Sequence, residues 1–173
     1  MVVLDEKTGF YWNEIAAKNG HTNAQSEVGR DYMTGNEPIN HRNFQKARYW
    51  LSKAAQKGDP DAIEYLPLLL SKTELISLTH KARRGNSNAA YKLYKYYYWV
   101  EREHDKKESY WLKKAAEGGN KDAQYFWGRE MEISDRQQAI KWLSKAAKQG
   151  HNDAKAVLEQ MTRTRIINKD TPH

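Results

Sequence analysis

Residues 110–128 read YWLKKAAEGGNKDAQYFWG, and the centre of this stretch recurs along the chain. The recurring phrase has two small residues, two polar residues, a glycine, three polar residues and an alanine. Its copies begin at Ala16, Ala54, Lys81, Ala115 and Ala146, and the third copy is the weakest. The phrase glycines are 38, 27, 34 and 31 residues apart. A period of this length, kept in one register, predicts an array of similar structural units.

The residues around the phrase predict that each unit is a pair of helices. Four copies have a Trp five residues before the second alanine, at positions 12, 50, 111 and 142. An apolar residue follows each phrase alanine after four residues, which places both on one helical face. The phrase glycine suits the left-handed residue that ends a helix. Asp59, Asn86 and Asn120 follow such glycines and can cap the next helix.

We therefore predict an all-α fold, an α/α solenoid of four to five helix-turn-helix repeats. The predicted helices cover 10–19, 22–34, 43–57, 60–71, 73–84, 87–101, 105–118, 121–132, 135–149 and 152–164. Pro67 should kink the helix predicted over 60–71, because proline removes a backbone hydrogen bond. Residues 1–164 are expected to form a single repeat domain, and 165–173 a frayed or disordered C-terminal tail.

Composition excludes several classes of protein. The chain has 173 residues and no cysteine, which rules out disulfide scaffolds, thiolate zinc sites and cysteine nucleophiles. No apolar run is long enough for a transmembrane helix, and the first ten residues do not read as a signal peptide. We expect a cytoplasmic protein, or a periplasmic one if a signal peptide has been removed. The net charge of +7 favours an anionic partner.

The stretch from Tyr110 to Gly128 resembles the Sel1-like repeat, a relative of the tetratricopeptide repeat, and the resemblance covers roughly residues 10–161. Its Trp, Ala-Ala, Gly and Ala recur at fixed offsets. The family pattern has a second glycine, present here as Gly29 and Gly128, where other copies have Pro67, Tyr94 and Glu159. These departures predict an irregular solenoid.

No catalytic motif is present in the sequence. There is no HExxH metal motif, no glycine-rich phosphate-binding loop and no GxSxG nucleophile elbow. His21 and His151 occupy the same position in two repeats and are interpreted as polar turn residues. We expect no enzymatic activity, no cofactor and no metal site.

A partner should bind the concave surface that the first helix of each repeat lines in helical solenoids. Projecting the helix over 87–101 at 100° per residue, and carrying its offsets to other copies, gives an aromatic, basic and partly apolar face. Its predicted residues are Arg30, Met33, Leu68, Tyr91, Tyr94, Lys95, Tyr98, Tyr125 and Arg129. Packing is the alternative role for Tyr91, Tyr94 and Tyr98. Tyr94 replaces a small residue of the family pattern, so it either fills a gap between helices or projects outward.

The resemblance implies a protein-binding module. Short bacterial chains of this family include immunity proteins against cognate toxins, a setting that includes type VI secretion, as well as adaptors and virulence factors. We favour an immunity protein that occludes its toxin, because no second domain, anchor or export signal is recognised. The positive charge suits an acidic partner, such as a lipase, better than a basic nuclease. A helical-repeat RNA binder is the alternative that the Tyr residues and basic charge allow.

Overall fold

The computed structural model describes residues 6–35, 39–101 and 106–167, with side chains over 8–35, 39–101 and 106–161. Within these residues the fold is all-α, as predicted, and no strand occurs. Ten α-helices follow one another in the described ranges: α1 Glu6–Lys18, α2 Thr22–Thr34, α3 Phe44–Gln56, α4 Pro60–Tyr65, α5 Lys72–Arg83, α6 Ser87–Tyr96, α7 Lys106–Glu117, α8 Lys121–Glu130, α9 Arg136–Lys148 and α10 Asn152–Ile167.

The turn of each phrase ends one helix and begins the next as predicted. Gly58 and Gly119 have φ of 82° and 93°, a left-handed conformation that costs glycine little because it has no Cβ. Asp59 and Asn120 then accept hydrogen bonds from the backbone N–H three residues later, each at 2.8 Å. Asn86 does the same at 2.8 Å. These local interactions explain why the predicted helix boundaries differ little from the observed ones.

Two predicted helices end earlier than expected. Pro67 does not kink a helix over 60–71; instead α4 ends at Tyr65 and a 3₁₀ turn covers Leu66–Leu68. Proline has no N–H to donate to the carbonyl of residue 63, so the α-helical ladder stops there. The helix predicted over 87–101 is α-helical only to Tyr96. It continues as a π-helical segment over Tyr97–Glu101.

The chain divides into two compact units. Unit 1 contains Met1–Leu75 and Lys95–Glu103, and unit 2 contains Ile76–Tyr94 and His104–His173. The single domain over 1–164 stays a prediction. Within the predicted tail, residues 165–167 belong to α10, and 168–173 lie outside the described residues.

Each unit has its own buried side chains. The core of unit 1 joins α2, α3, the 3₁₀ turn and the π segment through Val28, Leu51, Leu68 and Val100. In unit 2, Leu143 of α9 packs with small residues of α9 and α10. The motif residues Trp50 and Trp111 are buried as well. No helix in the described ranges is both long enough and apolar enough to span a membrane.

Candidate protein interface

Three aromatic side chains of unit 2 form a cluster that we call the aromatic cluster: Tyr91 and Tyr94 on α6, and Phe126 on α8. The ring centroids of Tyr91 and Tyr94 are 5.8 Å apart and the rings are nearly parallel. Phe126 lies 6.5 Å from Tyr91 and 6.3 Å from Tyr94. The two tyrosines are three residues apart and therefore lie on one side of α6. Tyr94 is buried, while 40% of Phe126 is exposed, so the cluster reaches the surface.

The predictions for α6 are thus met in part. Tyr94 fills space between helices rather than projecting outward, so the packing alternative holds for it, and a side chain that is only 9% exposed offers a partner little surface. Tyr91 is half-buried beside it. Phe126 was missed, because the offsets carried over from α6 selected its neighbour Tyr125 instead.

Tyr125 packs against the buried cluster of Leu143, Ala146 and Ala154. Its ring stacks on that of His151 at 4.4 Å between centroids. His151 Nδ1 accepts from the backbone N–H of Ala154 at 3.3 Å, so this histidine is a polar turn residue as interpreted. Arg129, also on α8, is exposed and forms an ion pair with Glu132 at 3.1 Å.

Two predicted residues of unit 1 cannot contact a partner, and the prediction for them is wrong. Met33 and Leu68 are 0% and 1% exposed and belong to the core. The opposite side of α2 was taken as free, but the π segment over Tyr97–Glu101 also packs against α2. Leu68 lies in the 3₁₀ turn, where the rotation of 100° per residue no longer applies because α4 has already ended.

Arg30, a further predicted residue of unit 1, has acidic neighbours that were not predicted from the sequence. Arg30 is exposed and lines a small cavity of about 290 Å³ with Glu27, Asp59 and Asp61. Burial, and then the charge of Asp61, raise the pKa of Tyr65 at this cavity, whereas Arg30 lowers it.

Lys95 and Tyr98 complete the predicted set in unit 1. Lys95 forms an ion pair with Glu64 at 3.5 Å. Tyr98 is 40% exposed and packs edge-to-face on Trp99. The predicted partner-binding residues of unit 1 therefore lie among side chains of both charges, and do not form the basic aromatic face that we predicted.

A larger concavity in unit 1 was not predicted; we call it the α3 groove. It has a volume of about 720 Å³ and lies between α3 and the chain that follows the 3₁₀ turn. Arg48 Nη2 donates to the carbonyl of Leu69 at 2.7 Å across it. The residues described as lining it are Phe44, Gln45, Arg48, Tyr49, Ser52, Lys53, Gln56, Leu69, Leu70 and Ser71.

The sequence contains one signal for this groove. A tyrosine directly precedes the motif Trp in three copies, at positions 11, 49 and 110. A residue adjacent to a buried helical residue points about 100° away from it. Tyr49 and Tyr110 are accordingly exposed although Trp50 and Trp111 are buried.

Within the described residues, no three His, Asp or Glu side chains lie close enough together to hold a metal ion. The features that stand out on both units are instead exposed aromatic and charged side chains beside apolar ones. Of these side chains, the aromatic residues and arginine are the types enriched at interfaces between proteins.

Comparison with known proteins agrees with the repeat. The family model for the Sel1 repeat matches residues 2–21, 22–59, 110–120 and 121–151, together more than half of the chain. Residues 60–109, which contain the Pro67 turn and the π segment, lie outside these matches. No curated protein matches the chain.

One solved structure that is similar is that of a Sel1 repeat protein from Oxalobacter formigenes. It is 24% identical, with a TM-score of 0.35, and the match covers 91% of this chain and 60% of that one. The chain therefore spans about three fifths of the length of that protein.

Proposed function

The chain belongs to the Sel1 repeat family, and from this premise we propose that it is an immunity protein that binds a toxin and covers the site at which the toxin acts. Sel1 repeats are typical of protein–protein interaction modules, which supports the general part of the proposal. The proposal that the partner is a toxin rests on an analogy with other short members of the family.

The observation that supports protein binding most directly is the aromatic cluster. Phe126 is 40% exposed, yet its ring is positioned by contacts with Tyr91 and the buried Tyr94. Large aromatic side chains dominate the binding energy of many interfaces. Because these rings are already ordered in the free chain, less conformational entropy is lost when a partner covers them.

Charge narrows the choice of toxin. A chain with a net charge of +7 attracts an acidic protein and repels a basic one. Nucleases are usually basic because they bind nucleic acid, so we propose a toxin of another class, with an acidic surface around the site that is covered.

The experiment is a capture from the lysate of the source cells, followed by a growth assay of the captured protein. Wild type is compared with Tyr91→Ala/Phe126→Ala and with the control pair Tyr11→Ala/Trp12→Ala, which removes two exposed aromatic rings from α1 in unit 1. Circular dichroism should first confirm equal helix content. We expect wild type and the control pair to capture one protein that the cluster variant loses.

The captured protein should arrest growth when it is expressed alone, and co-expression of the chain should restore growth. Capture of a harmless protein would replace immunity by the adaptor or virulence-scaffold alternative. Capture of RNA, with an affinity that falls steeply as salt is raised, would favour the RNA-binding alternative instead.

A further inference from the structure

We propose that the α3 groove is a second binding site, and that it takes an acidic segment of a partner protein that also carries an apolar side chain. The groove lies in unit 1, whereas the aromatic cluster lies in unit 2. The proposal therefore goes beyond the proposed function and does not depend on the identity of the partner as a toxin.

The groove has the size and lining of a site for a few side chains. Its volume of about 720 Å³ is within the usual range for ligand pockets, roughly 300–1,000 Å³. Phe44, Leu69 and Leu70 supply apolar surface, and all three pack with the core of unit 1. Tyr49 borders them and is 53% exposed. An apolar side chain of a partner that enters the groove is removed from water, and it contacts residues that the core of unit 1 already holds in place.

The charged groups of the groove are all of one sign. Among the lining residues that the structure describes, Arg48 and Lys53 are cations and none is a carboxylate. Arg48 uses one N–H to bond the Leu69 carbonyl, which holds its guanidinium against the groove. A guanidinium has five N–H donors, so it can still bind a carboxylate of the partner. Lys53 Nζ lies 4.6 Å from the ring centroid of Tyr49 and places its charge beside the same opening.

One of the corresponding helices of unit 2, α7, differs from α3 in its charges. On α7 the same repeat positions have Tyr110 and Lys114, but Ser109 replaces Arg48 and Glu117 replaces Gln56. Lys114 forms an ion pair with Glu117 at 3.5 Å. The tyrosine and lysine are thus common to α3 and α7, whereas α3 alone of these two helices has the arginine. On α9 the position of Tyr49 is taken by Lys141, so that helix has cations there but lacks the tyrosine.

The choice of an acidic occupant follows from these groups. A basic segment would place like charges beside Arg48 and Lys53, which costs binding energy. A wholly apolar segment would cover the guanidinium without satisfying its N–H donors, which is also unfavourable. An acidic segment with an apolar side chain satisfies both the cations and the apolar floor.

Three labelled peptides of one length test the proposal by fluorescence polarisation with the full chain. The first is built of glutamate and leucine, the second has lysine at every glutamate position, and the third has glutamine there. We expect the glutamate peptide to bind about tenfold or more tightly than either of the others. Its affinity should fall as salt is raised, because charge attraction is screened.

Matched variants assign the binding to the groove. Arg48→Glu/Lys53→Glu should weaken the glutamate peptide about tenfold or more, and Lys114→Glu should leave it unchanged. Tyr49→Ala should weaken it while Tyr110→Ala does not, although both tyrosines are about equally exposed, at 53% and 50%. Phe126→Ala should bind the glutamate peptide as tightly as wild type does. A failure of the groove proposal is therefore distinguishable from a failure of the proposed function, which depends on Phe126.

The tyrosine pair keeps the test decisive if the double charge reversal does not fold. Equal binding of the glutamate and lysine peptides would overturn the proposal, as would equal effects of Tyr49→Ala and Tyr110→Ala. Sedimentation of the free chain adds a third criterion. A dimer that Tyr49→Ala dissociates would make a second copy the occupant and would also overturn the proposal.

Discussion

The backbone of α2 at Gly29 lies directly against the side chain of Leu51 on α3. A Cβ added to Gly29 would lie 2.7 Å from Leu51 Cγ and 3.0 Å from the backbone nitrogen of Leu51. The same relationship recurs in unit 2, where a Cβ on Gly128 would lie 2.9 Å from Leu143 Cγ. The second glycine of the family pattern is therefore needed for the close approach of two helices, and not for a special backbone conformation.

Gly29→Ala should destabilise unit 1. Alanine favours a helix over glycine by up to about 1 kcal/mol, but overpacking of a core costs about 1–3 kcal/mol, so we expect a net loss. Urea unfolding followed by circular dichroism measures it. Gly9→Ala is the control, because among the described residues no atom beyond the chain neighbours and the nearby backbone of α1 lies within 4 Å of a Cβ at that position. It should be neutral or stabilising, and an equal loss at both positions would contradict the packing argument.

A glutamine network is complete in unit 2 and incomplete in unit 1. Gln124 Nε2 donates to the carbonyl of Ala116, and Gln149 Nε2 donates to Gln124 Oε1 at 2.8 Å and to Gly119 O at 3.1 Å. In unit 1 the equivalent Gln25 Nε2 donates to Ala17 O, but no described protein group donates to Gln25 Oε1, which is buried.

Lys57 occupies in unit 1 the repeat position of Gln149, and its Nζ bonds only Gly20 O in this network. Lys57→Gln should therefore supply the missing donor and raise stability by about 0.5–1 kcal/mol. The reverse change, Gln149→Lys, should lower stability by about 1–2 kcal/mol, because Gln124 Oε1 loses its donor. Thermal unfolding of both variants tests the pair, and changes of the same sign would refute it.

Asp59 joins the start of α4 to α2. Its Oδ1 accepts from the Ala62 N–H and from Ser26 Oγ, each at 2.8 Å. Asp59→Ala should cost about 1–2 kcal/mol, because the helix cap is lost and the Ser26 hydroxyl loses its acceptor. Asp59→Asn should retain most of that stability. Asp61→Ala, in the first turn of the same helix, is the control, and its loss in urea unfolding should be smaller.

Tyr96 makes unit 1 sensitive to alkaline pH. Burial, and then the hydrogen bond that its hydroxyl donates to Glu101 at 2.8 Å, raise the pKa of the phenol. A raised pKa in the folded state means that this contribution to stability is complete below the unfolded pKa of about 10 and is lost as pH rises above it. The melting temperature should therefore fall more steeply above that pH in wild type than in Tyr96→Phe.

Melting temperatures measured from pH 8 to 11, with tyrosinate absorbance as a second signal, test this prediction. Tyr110→Phe is the control, since Tyr110 is exposed on α7. At neutral pH, Tyr96→Phe should cost about 1 kcal/mol through loss of its hydrogen bond. If the melting temperature of Tyr96→Phe fell with rising pH as steeply as that of wild type, a group other than Tyr96 would be responsible for the alkaline sensitivity.

Sequence alone determined the repeat, the all-α fold and most helix boundaries. These features depend on interactions between residues close in the chain, such as the left-handed Gly58 and the cap that Asp59 forms directly after it. The turn role of His151 was predictable for the same reason. The Sel1 repeat was recognised from the same local motif.

Only the tertiary structure decided which faces remain exposed. Helical periodicity gives the direction of a side chain but not what packs over it, so the burial of Met33 by further elements of unit 1 was not foreseen. Leu68 failed because one proline ended the helix on which its direction was calculated. Phe126 and the α3 groove arise where residues distant in the chain meet, and such meetings depend on how helices pack rather than on the sequence of any one of them.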